Sequence, residues 1–367
     1  MRRIYLDHAA TTPTEERVID AMADCMRAAW ANPSAAYSQA GLARREMRLC
    51  RQTLANTLRC DHTEIIFTSG GTESNNLALK SAAGKHVVMS AIEHSSLLEP
   101  ARTLGCDVTL IMPDRSGVIH PEAVEAALRP DTALIVLQWA NNETGVLQPV
   151  RQVGRIARQR RIPFHVDAVQ AFGHVPVDVQ CCDTLSLSAH KFGGPRGAGA
   201  LYVRQGLSLS PLIVGGGQEN GMRAGTEDVA AICGMRIAAE MAMDDLPVRQ
   251  ARETALMTQL AANLHAHIPG AFQLGKDAPR LPGVGAFLLP GLNAEIAIAR
   301  LDLMGIMVSG GAACAASSGQ PSHVYRAMGL NEEEARQVIR ISLGRSTTEI
   351  DIAEASKGIV QVWETYR

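Results

Sequence analysis

Long apolar runs and net charge are both missing from this sequence of 367 residues. No stretch approaches the roughly 20 apolar residues of a membrane-spanning helix, and the N-terminal residues lack the apolar run of a signal peptide. Lysine and arginine number 35 and aspartate and glutamate 37, so nothing favours nucleic acid or a membrane surface as a main partner. We therefore expect a globular protein of the cytoplasm.

Cysteine pairs with the spacing of a metal site are also missing. The eight cysteines are scattered, none forms a Cys-x-x-Cys pair, and no histidine–cysteine cluster has ligand spacing, so we expect no metal. In a large chain without a signal peptide, such cysteines are expected to be reduced and mostly buried. We interpret all of them except Cys314 as structural.

What the sequence does contain is an alternation of short apolar runs and helical patterns over residues 14–245. Such runs between helices predict a mostly parallel sheet covered on both faces. After Gly225 the order of helices and strands changes and predicts a smaller α+β unit. The expected domains are therefore 14–245 as the large unit, and 1–13 with 246–367 as the small one.

Three polar segments follow predicted strands, the favoured ligand position in open α/β sheets. The first, at residues 69–73, places Gly70 and Gly71 before a predicted helix, which suits a phosphate at the helix N-terminus. No Gly-Lys-Ser/Thr follows, so the segment is not a P-loop. An ordinary capped turn is an equally good interpretation of this segment alone.

The second segment ends a predicted strand at Asp167. A carboxylate there needs a partner, because desolvating it alone is costly, and a protonated ring nitrogen would serve. Asp is also a common helix N-cap, which is the alternative interpretation.

The third segment places Lys191 after another predicted strand and before a loop rich in Gly and Pro. A partly buried lysine tends toward a lowered pKa and can form a Schiff base, whereas a solvated surface lysine is the alternative. Lysine, aspartate and a helix N-terminus together are the groups expected around pyridoxal phosphate.

Cys314 lies in a run of Gly, Ala and Ser with no large side chain between Ser309 and Gly319. Such a run has little to pack into a core, which favours a flexible loop over a packing role for the thiol. A small packing residue is the alternative interpretation.

Together these segments resemble the cysteine desulfurases, which are class V, fold-type I enzymes that use pyridoxal phosphate. The matching segments follow the family's order across nearly the whole chain, at residues 5–13, 32–34, 68–76, 93–94, 141–145, 165–170, 188–195, 223–226, 309–314 and 340–345. The resemblance implies an α/β fold with a large, mostly parallel seven-stranded sheet domain and a smaller α+β domain that carries the cysteine loop.

The resemblance also implies roles for individual residues. Lys191 would form the Schiff base, Asp167 would pair with the ring nitrogen, and Gln170 would bond the ring oxygen. His94 would stack on the ring and move protons. The phosphate would be held by Gly71, Thr72, Ser188 and His190. Asn142, which also contacts the cofactor, and Arg340 would bind the substrate carboxylate, for which a planar guanidinium is suited.

By the same resemblance, Thr226 would reach the phosphate of the neighbouring subunit, which implies a homodimer with shared sites. Cys314 would take sulfur from L-cysteine as a persulfide, leave L-alanine, and pass the sulfur to an acceptor protein of iron–sulfur cluster assembly or thiolation. Three alternatives stay open: a selenocysteine lyase, a pyridoxal-phosphate C–S lyase without a persulfide, and a non-catalytic sulfur acceptor.

Overall fold

The computed structural model describes residues 3–311 and 320–367. Its strands are β1 (Ile4–Tyr5), β2 (Ile65–Thr68), β3 (His86–Ser90), β4 (Asp107–Ile111), β5 (Thr132–Gln138), β6 (Phe164–Asp167), β7 (Thr184–Ser188), β8 (Gly199–Val203), β9 (Phe272–Gln273), β10 (Val284–Leu288), β11 (Ile306–Met307) and β12 (Val338–Ser342). Its α-helices are α1 (Glu16–Ala28), α2 (Ala40–Leu58), α3 (Gly71–Lys80), α4 (Ser95–Thr103), α5 (Pro121–Ala126), α6 (Val150–Arg160), α7 (Val229–Asp244), α8 (Leu246–His267), α9 (Ala294–Leu303), α10 (His323–Ala327), α11 (Glu332–Ala335) and α12 (Glu349–Tyr366).

The largest sheet of the described residues has seven strands in the order β2-β8-β7-β6-β5-β3-β4. Strand β8 runs antiparallel to β2 and β7, and the other neighbours pair in parallel. Every residue of β3, β6, β7 and β8 is buried, as expected for strands covered on both faces. The predicted α/β fold with a mostly parallel seven-stranded sheet is confirmed.

Helices α1 and α2 both pack against α7, and all three share a large apolar cluster with the sheet. Val166 and Leu185 from the strands, Cys50 from α2 and Met235 from α7 all belong to this cluster. Their burial removes apolar area from water, at roughly 25 cal/mol per Å². The cluster therefore fixes the strands, and with them the loops at their carboxyl ends.

The C-terminal part forms a second, smaller apolar cluster between α8, α9, α12 and the antiparallel sheet β12-β10-β9. The N-terminal strand β1 pairs in parallel with β11 and joins this cluster through Ile4. The boundary that we propose between the two domains falls between α7 and α8, and the division 14–245 against 1–13 with 246–367 stays a proposal.

The two-residue strands β1 and β9 and the short helix α11 were not predicted, because so few residues carry no readable periodicity. Within residues 3–311 and 320–367, no helix combines the length and apolar character needed to cross a bilayer.

Candidate active site

A cavity of about 250 Å³ lies at the carboxyl-terminal edge of the large sheet. The loops after β2, β3, β5, β6 and β7 all contribute to it, which is the position expected for a ligand in an open α/β sheet. Its lining includes ten of the residues predicted from the sequence, namely Gly71, Thr72, His94, Asn142, Asp167, Gln170, Ser188, His190, Lys191 and Arg340.

Lys191 ends a 3₁₀ turn, Ala189–Lys191, that directly follows β7. Its Nζ donates hydrogen bonds to the carbonyl oxygens of Ala9 (2.6 Å) and Ala10 (2.8 Å). The Nε2 of Gln170 donates to the same Ala9 oxygen at 2.8 Å. The N-terminal segment thus holds the amine and the amide at one wall of the cavity.

Asp167 is the last residue of β6 and is almost fully buried. Its Oδ2 accepts a hydrogen bond from Asn75 Nδ2 at 2.7 Å, and its Oδ1 accepts one from the Val169 backbone N–H at 2.9 Å. Two donors satisfy part of the carboxylate, which keeps further acceptor capacity for a cationic group in the cavity.

The N-terminus of α3 forms a second wall. Gly70 has φ 153° and supplies no side-chain cap, so α3 begins with uncapped backbone N–H groups. A Cβ at Gly71 would lie 2.6 Å from Val169 Cγ2, which explains why glycine is required there. This helix end, with Thr72 in its first turn and Ser188 beside it, is a suitable anion site.

His190 lies next to this helix end, and its Nδ1 is 3.0 Å from Thr11 Oγ1. Burial, with the positive charges of Lys191 and Arg196 acting in the same direction, lowers the pKa of His190 to about 4. The ring is therefore neutral near pH 7 and can offer a hydrogen bond without adding charge.

His94 is the N-cap of α4, and its Nδ1 accepts a hydrogen bond from the Ser96 backbone N–H at 3.1 Å. Burial lowers the pKa of His94; the negative charge of Asp167 opposes this effect, and the positive charge of Lys191 adds to it. The structure thus places a neutral imidazole in the cavity, close to both Asp167 and Lys191.

Arg340 is a fully buried residue of β12. Its guanidinium donates to Asp7 Oδ1 at 2.7 Å and to the Asn142 carbonyl oxygen at 3.0 Å, while its buried Nε has no protein acceptor among the described residues. The N-terminal segment, the loop after β5 and the smaller sheet therefore meet at this side chain. Arg340 lines the cavity, and the remaining N–H groups of its terminal nitrogens are the donors suited to a carboxylate.

Thr226, predicted to act in the neighbouring subunit, lies outside this cavity. It lines a separate cavity of about 100 Å³ with Ser69 and Arg223, on another side of the loop that precedes α3. Its role across a subunit boundary stays a prediction.

Cys314 lies outside the described residues. Its described neighbour Ser309 exchanges backbone hydrogen bonds with Arg340, at 3.1 and 2.6 Å. Gly311 has φ 134°, and a Cβ there would lie 2.7 Å from Glu143 Oε2, so a larger residue would be strained. The chain just before residue 312 is thus attached to the strand that carries Arg340.

Sequence reasoning assigned no role to Asn75, Ser96 or Asp7, although all three make hydrogen bonds to cavity residues. Asn75 had a readable signal, because it lies four residues after Gly71 and so shares a helix face with it. Asp7 and Ser96 carry no such signal in the sequence. The partner of Asp7 is distant in sequence, and the contact of Ser96 with His94 depends on the geometry of a helix end.

These groups fit pyridoxal phosphate. The cavity offers a lysine amine for covalent attachment, a buried carboxylate for a pyridinium nitrogen, and an uncapped helix N-terminus flanked by hydroxyls for a phosphate. Each group faces the same cavity, although the residues come from the ends of three different strands, β2, β6 and β7.

The family model for class-V aminotransferases matches residues 4–354. The chain belongs to the class-V aminotransferase family. Pyridoxal phosphate is the cofactor that this family implies.

Similar proteins extend over nearly the full chain. A cysteine desulfurase IscS of Dictyoglomus turgidum is 41% identical over 362 residues, covering 96% of this chain and 92% of the relative. A solved NifS-like protein superposes with a TM-score of 0.92 at 33% identity, covering 99% of this chain and 100% of that chain. A solved structure of SspA in complex with cysteine is 37% identical, with a TM-score of 0.82, and covers 93% of this chain and 99% of that one. The family predicted from the sequence is therefore confirmed.

Proposed function

We propose that this class-V chain acts as a pyridoxal-phosphate-dependent cysteine desulfurase that converts L-cysteine to L-alanine. The observation that carries the proposal is that Lys191, Asp167 and Arg340 line one cavity at the edge of the sheet. When bound there, the cofactor withdraws electrons from the substrate amino acid. Relatives named cysteine desulfurases, similar over 90% or more of both chains, support the same activity.

Three sets of residues would hold the cofactor. Lys191 would attach the cofactor covalently, and Asp167 would keep its ring nitrogen protonated. Gln170 Nε2 already donates one hydrogen to the Ala9 carbonyl, and it would donate its second hydrogen to the ring oxygen of the cofactor. The phosphate would lie at the start of α3, within reach of Gly71, Thr72, Ser188 and His190. Because His190 is neutral near pH 7, its contribution would be a hydrogen bond.

Arg340 and Asn142 would bind the substrate carboxylate. Asp7 and the Asn142 carbonyl already fix the plane of the guanidinium, so little side-chain entropy remains to be lost when a carboxylate binds. His94 lies across the cavity as a neutral imidazole and would hold a proton near the substrate.

The sulfur would pass to Cys314. The thiolate of Cys314 forms a bond to the substrate sulfur while the carbon–sulfur bond breaks, and the carbon keeps the electron pair and takes up a proton to give alanine. The protein then carries a persulfide, and an acceptor protein of iron–sulfur cluster assembly or thiolation removes the outer sulfur. The thiolate is the reactive form of the thiol, so positive potential near it would help.

A homodimer belongs to this proposal, since Thr226 would then reach the phosphate site of the neighbouring subunit. Its position outside its own chain's cavity agrees with a role of this kind. A cytoplasmic location also remains part of the proposal.

Mass spectrometry of the purified holoenzyme after exposure to L-cysteine tests the sulfur transfer. We expect the mass of one added sulfur atom on the peptide that contains Cys314, together with alanine in solution. Cys314→Ser should lose both the added mass and the alanine while it keeps the visible absorbance of the bound cofactor.

Cys181→Ser is the matched control, because Cys181 lies at the opposite, amino-terminal edge of the sheet. Alanine formation by Cys314→Ser at the wild-type rate would instead favour a C–S lyase without a persulfide. Turnover of selenocysteine but not of cysteine would favour a selenocysteine lyase, and absence of any bound cofactor would favour a non-catalytic acceptor.

A further inference from the structure

A series of hydrogen bonds runs from Thr184, which is outside the cavity lining, to His94, which lies in the cavity wall. The Thr184 hydroxyl lies 2.8 Å from His165 Nδ1, and His165 Nε2 lies 3.0 Å from Asn75 Oδ1. Asn75 Nδ2 then lies 2.7 Å from Asp167 Oδ2 and 2.8 Å from Ser96 Oγ. Ser96 Oγ is 2.8 Å from His94 Nδ1, which completes the chain.

At the buried end of this hydrogen-bonded series, only one placement of the hydrogen atoms gives every group a partner of the right kind. Asp167 needs a donor, so Asn75 must present its Nδ2 to that carboxylate and its Oδ1 to His165. His165 then donates through Nε2 and accepts from Thr184 at Nδ1. Burial lowers the pKa of His165 to about 3, so the ring is neutral, as this arrangement requires.

The same logic extends through Ser96. Asn75 has a second hydrogen on Nδ2, which it donates to Ser96 Oγ, and the Ser96 hydroxyl hydrogen is then free to point at His94. The Ser96 backbone N–H also points at His94 Nδ1, at 3.1 Å. A nitrogen that receives two donors is an acceptor, so the proton of neutral His94 lies on Nε2.

From this geometry we propose that Asn75 and Ser96 are positioning residues, which join Asp167 and His94 in one hydrogen-bonded unit and hold His94 as the neutral tautomer with its proton on Nε2. The proposal rests on the proposed function, in which both joined residues act on the cofactor and substrate. It changes the role expected of His94, which meets the cavity as a hydrogen-bond donor.

The proposal has a consequence for how the cavity tolerates substitution. Loss of the Ser96 hydroxyl leaves only the backbone N–H to hold His94 Nδ1, which weakens the preference for one tautomer. Loss of the Asn75 amide affects both ends, because Asp167 and Ser96 lose a donor and His165 loses its acceptor. Asn75 substitution is therefore expected to cost more than Ser96 substitution.

The test is ¹⁵N NMR of the holoenzyme labelled at histidine, with the His94 resonances assigned by their loss in His94→Gln. In the wild type we expect Nδ1 at the position of an unprotonated nitrogen and Nε2 at that of a protonated one. In Ser96→Ala we expect both resonances to move toward each other as the other tautomer becomes populated. Ser96→Thr keeps the hydroxyl and should keep the wild-type pattern.

Kinetics of alanine formation provide the second readout. Loss of one hydrogen bond to His94 should lower kcat about five-fold in Ser96→Ala, with KM for L-cysteine nearly unchanged. Asn75→Leu should lower kcat further. Ser95→Ala is the matched control, since Ser95 lies next in the same helix but outside this chain of hydrogen bonds.

Two results would overturn the proposal: a wild-type His94 with its proton on Nδ1, or wild-type resonances and kcat in both Ser96→Ala and Asn75→Leu. If Asn75→Leu does not fold, wild-type resonances and a wild-type kcat in Ser96→Ala alone would overturn the proposal. The tautomer is measured without turnover, so a wild type that forms no alanine would contradict the proposed function and leave this test intact.

Discussion

Two cavities meet at Lys191, and they differ in how their polar side chains are held. The active cavity lies at the carboxyl edge of the sheet, whereas the second, of about 200 Å³, lies between the N-terminal segment, α8 and the loop after β12. Lys191 lines both.

In the active cavity, protein partners orient the functional groups. Asp167 is held by Asn75 and Val169, and Arg340 is held by Asp7 and Asn142. Such groups are held in one direction before any ligand arrives, which reduces the cost of ordering them on binding.

In the second cavity, buried polar atoms are left without protein partners. Both ring nitrogens of His8 and Oε1 of Glu253 have none among the described residues. Burial lowers the pKa of His8 to about 4, so this ring is neutral near pH 7, and burial raises the pKa of Glu253 to about 7, so this carboxyl group is only partly ionised there. Arg340 Nε is likewise unpartnered in the first cavity, but the rest of that guanidinium and the Asp167 carboxylate are held by protein partners, and this preorganisation distinguishes the first cavity from the second.

Replacing Lys191, which lines both cavities, should reduce alanine formation more than any other substitution in these two cavities. Lys191→Ala removes the amine that we expect to attach the cofactor, and alanine formation from L-cysteine should fall below detection. Alanine is measured by chromatography in enzyme supplied with pyridoxal phosphate. Lys276→Ala, at an exposed position, is the control. Substantial turnover by Lys191→Ala would contradict the attachment role.

A change confined to the active cavity should have an intermediate effect. Arg340→Ala removes a charge-assisted hydrogen bond worth about 1.5–3 kcal/mol, so KM for L-cysteine should rise roughly 10- to 100-fold. Arg340→Lys keeps the charge but not the planar fork and should show a smaller rise. Steady-state kinetics give KM and kcat separately, with the exposed Arg300→Ala as control. A wild-type KM in folded Arg340→Ala would refute its carboxylate role.

A change confined to the second cavity should have the smallest effect. His8→Gln at pH 8 should form alanine within about two-fold of the wild-type rate. Folding lowers the pKa of His8. Below about pH 6.5 the unfolded chain therefore binds a proton at His8 while the folded chain does not, and the free energy of unfolding decreases as the pH falls.

The predicted loss of stability at low pH can be checked by measuring the free energy of unfolding in urea. The difference between His8→Gln and wild type should shift in favour of the variant by about 2 kcal/mol between pH 8 and pH 5. The exposed His267 provides a control substitution, His267→Gln. A difference that does not change with pH would contradict the lowered pKa of His8. A large loss of activity at pH 8 would contradict the view that the second cavity is not needed for alanine formation.

Most of the fold, and the grouping of ten candidate residues around one cavity, could be predicted from the sequence. The predicted strands that end near Asp167 and Lys191 place these residues at the same edge of a parallel sheet, as observed. The partners of those residues could not be predicted. Asn75 and Asp167 are 92 positions apart, and Asp7 and Arg340 are 333 apart, so no local pattern connects them.

By itself, the sequence determined which chemistry the chain carries, because the reactive side chains and their order along periodic segments can be read directly. Tertiary structure alone decided which way those side chains point, which tautomer His94 takes and that Arg340 is held by Asp7. The physical reason is that a hydrogen bond depends on a few tenths of an ångström between atoms on different elements, and packing of the two apolar clusters sets those distances.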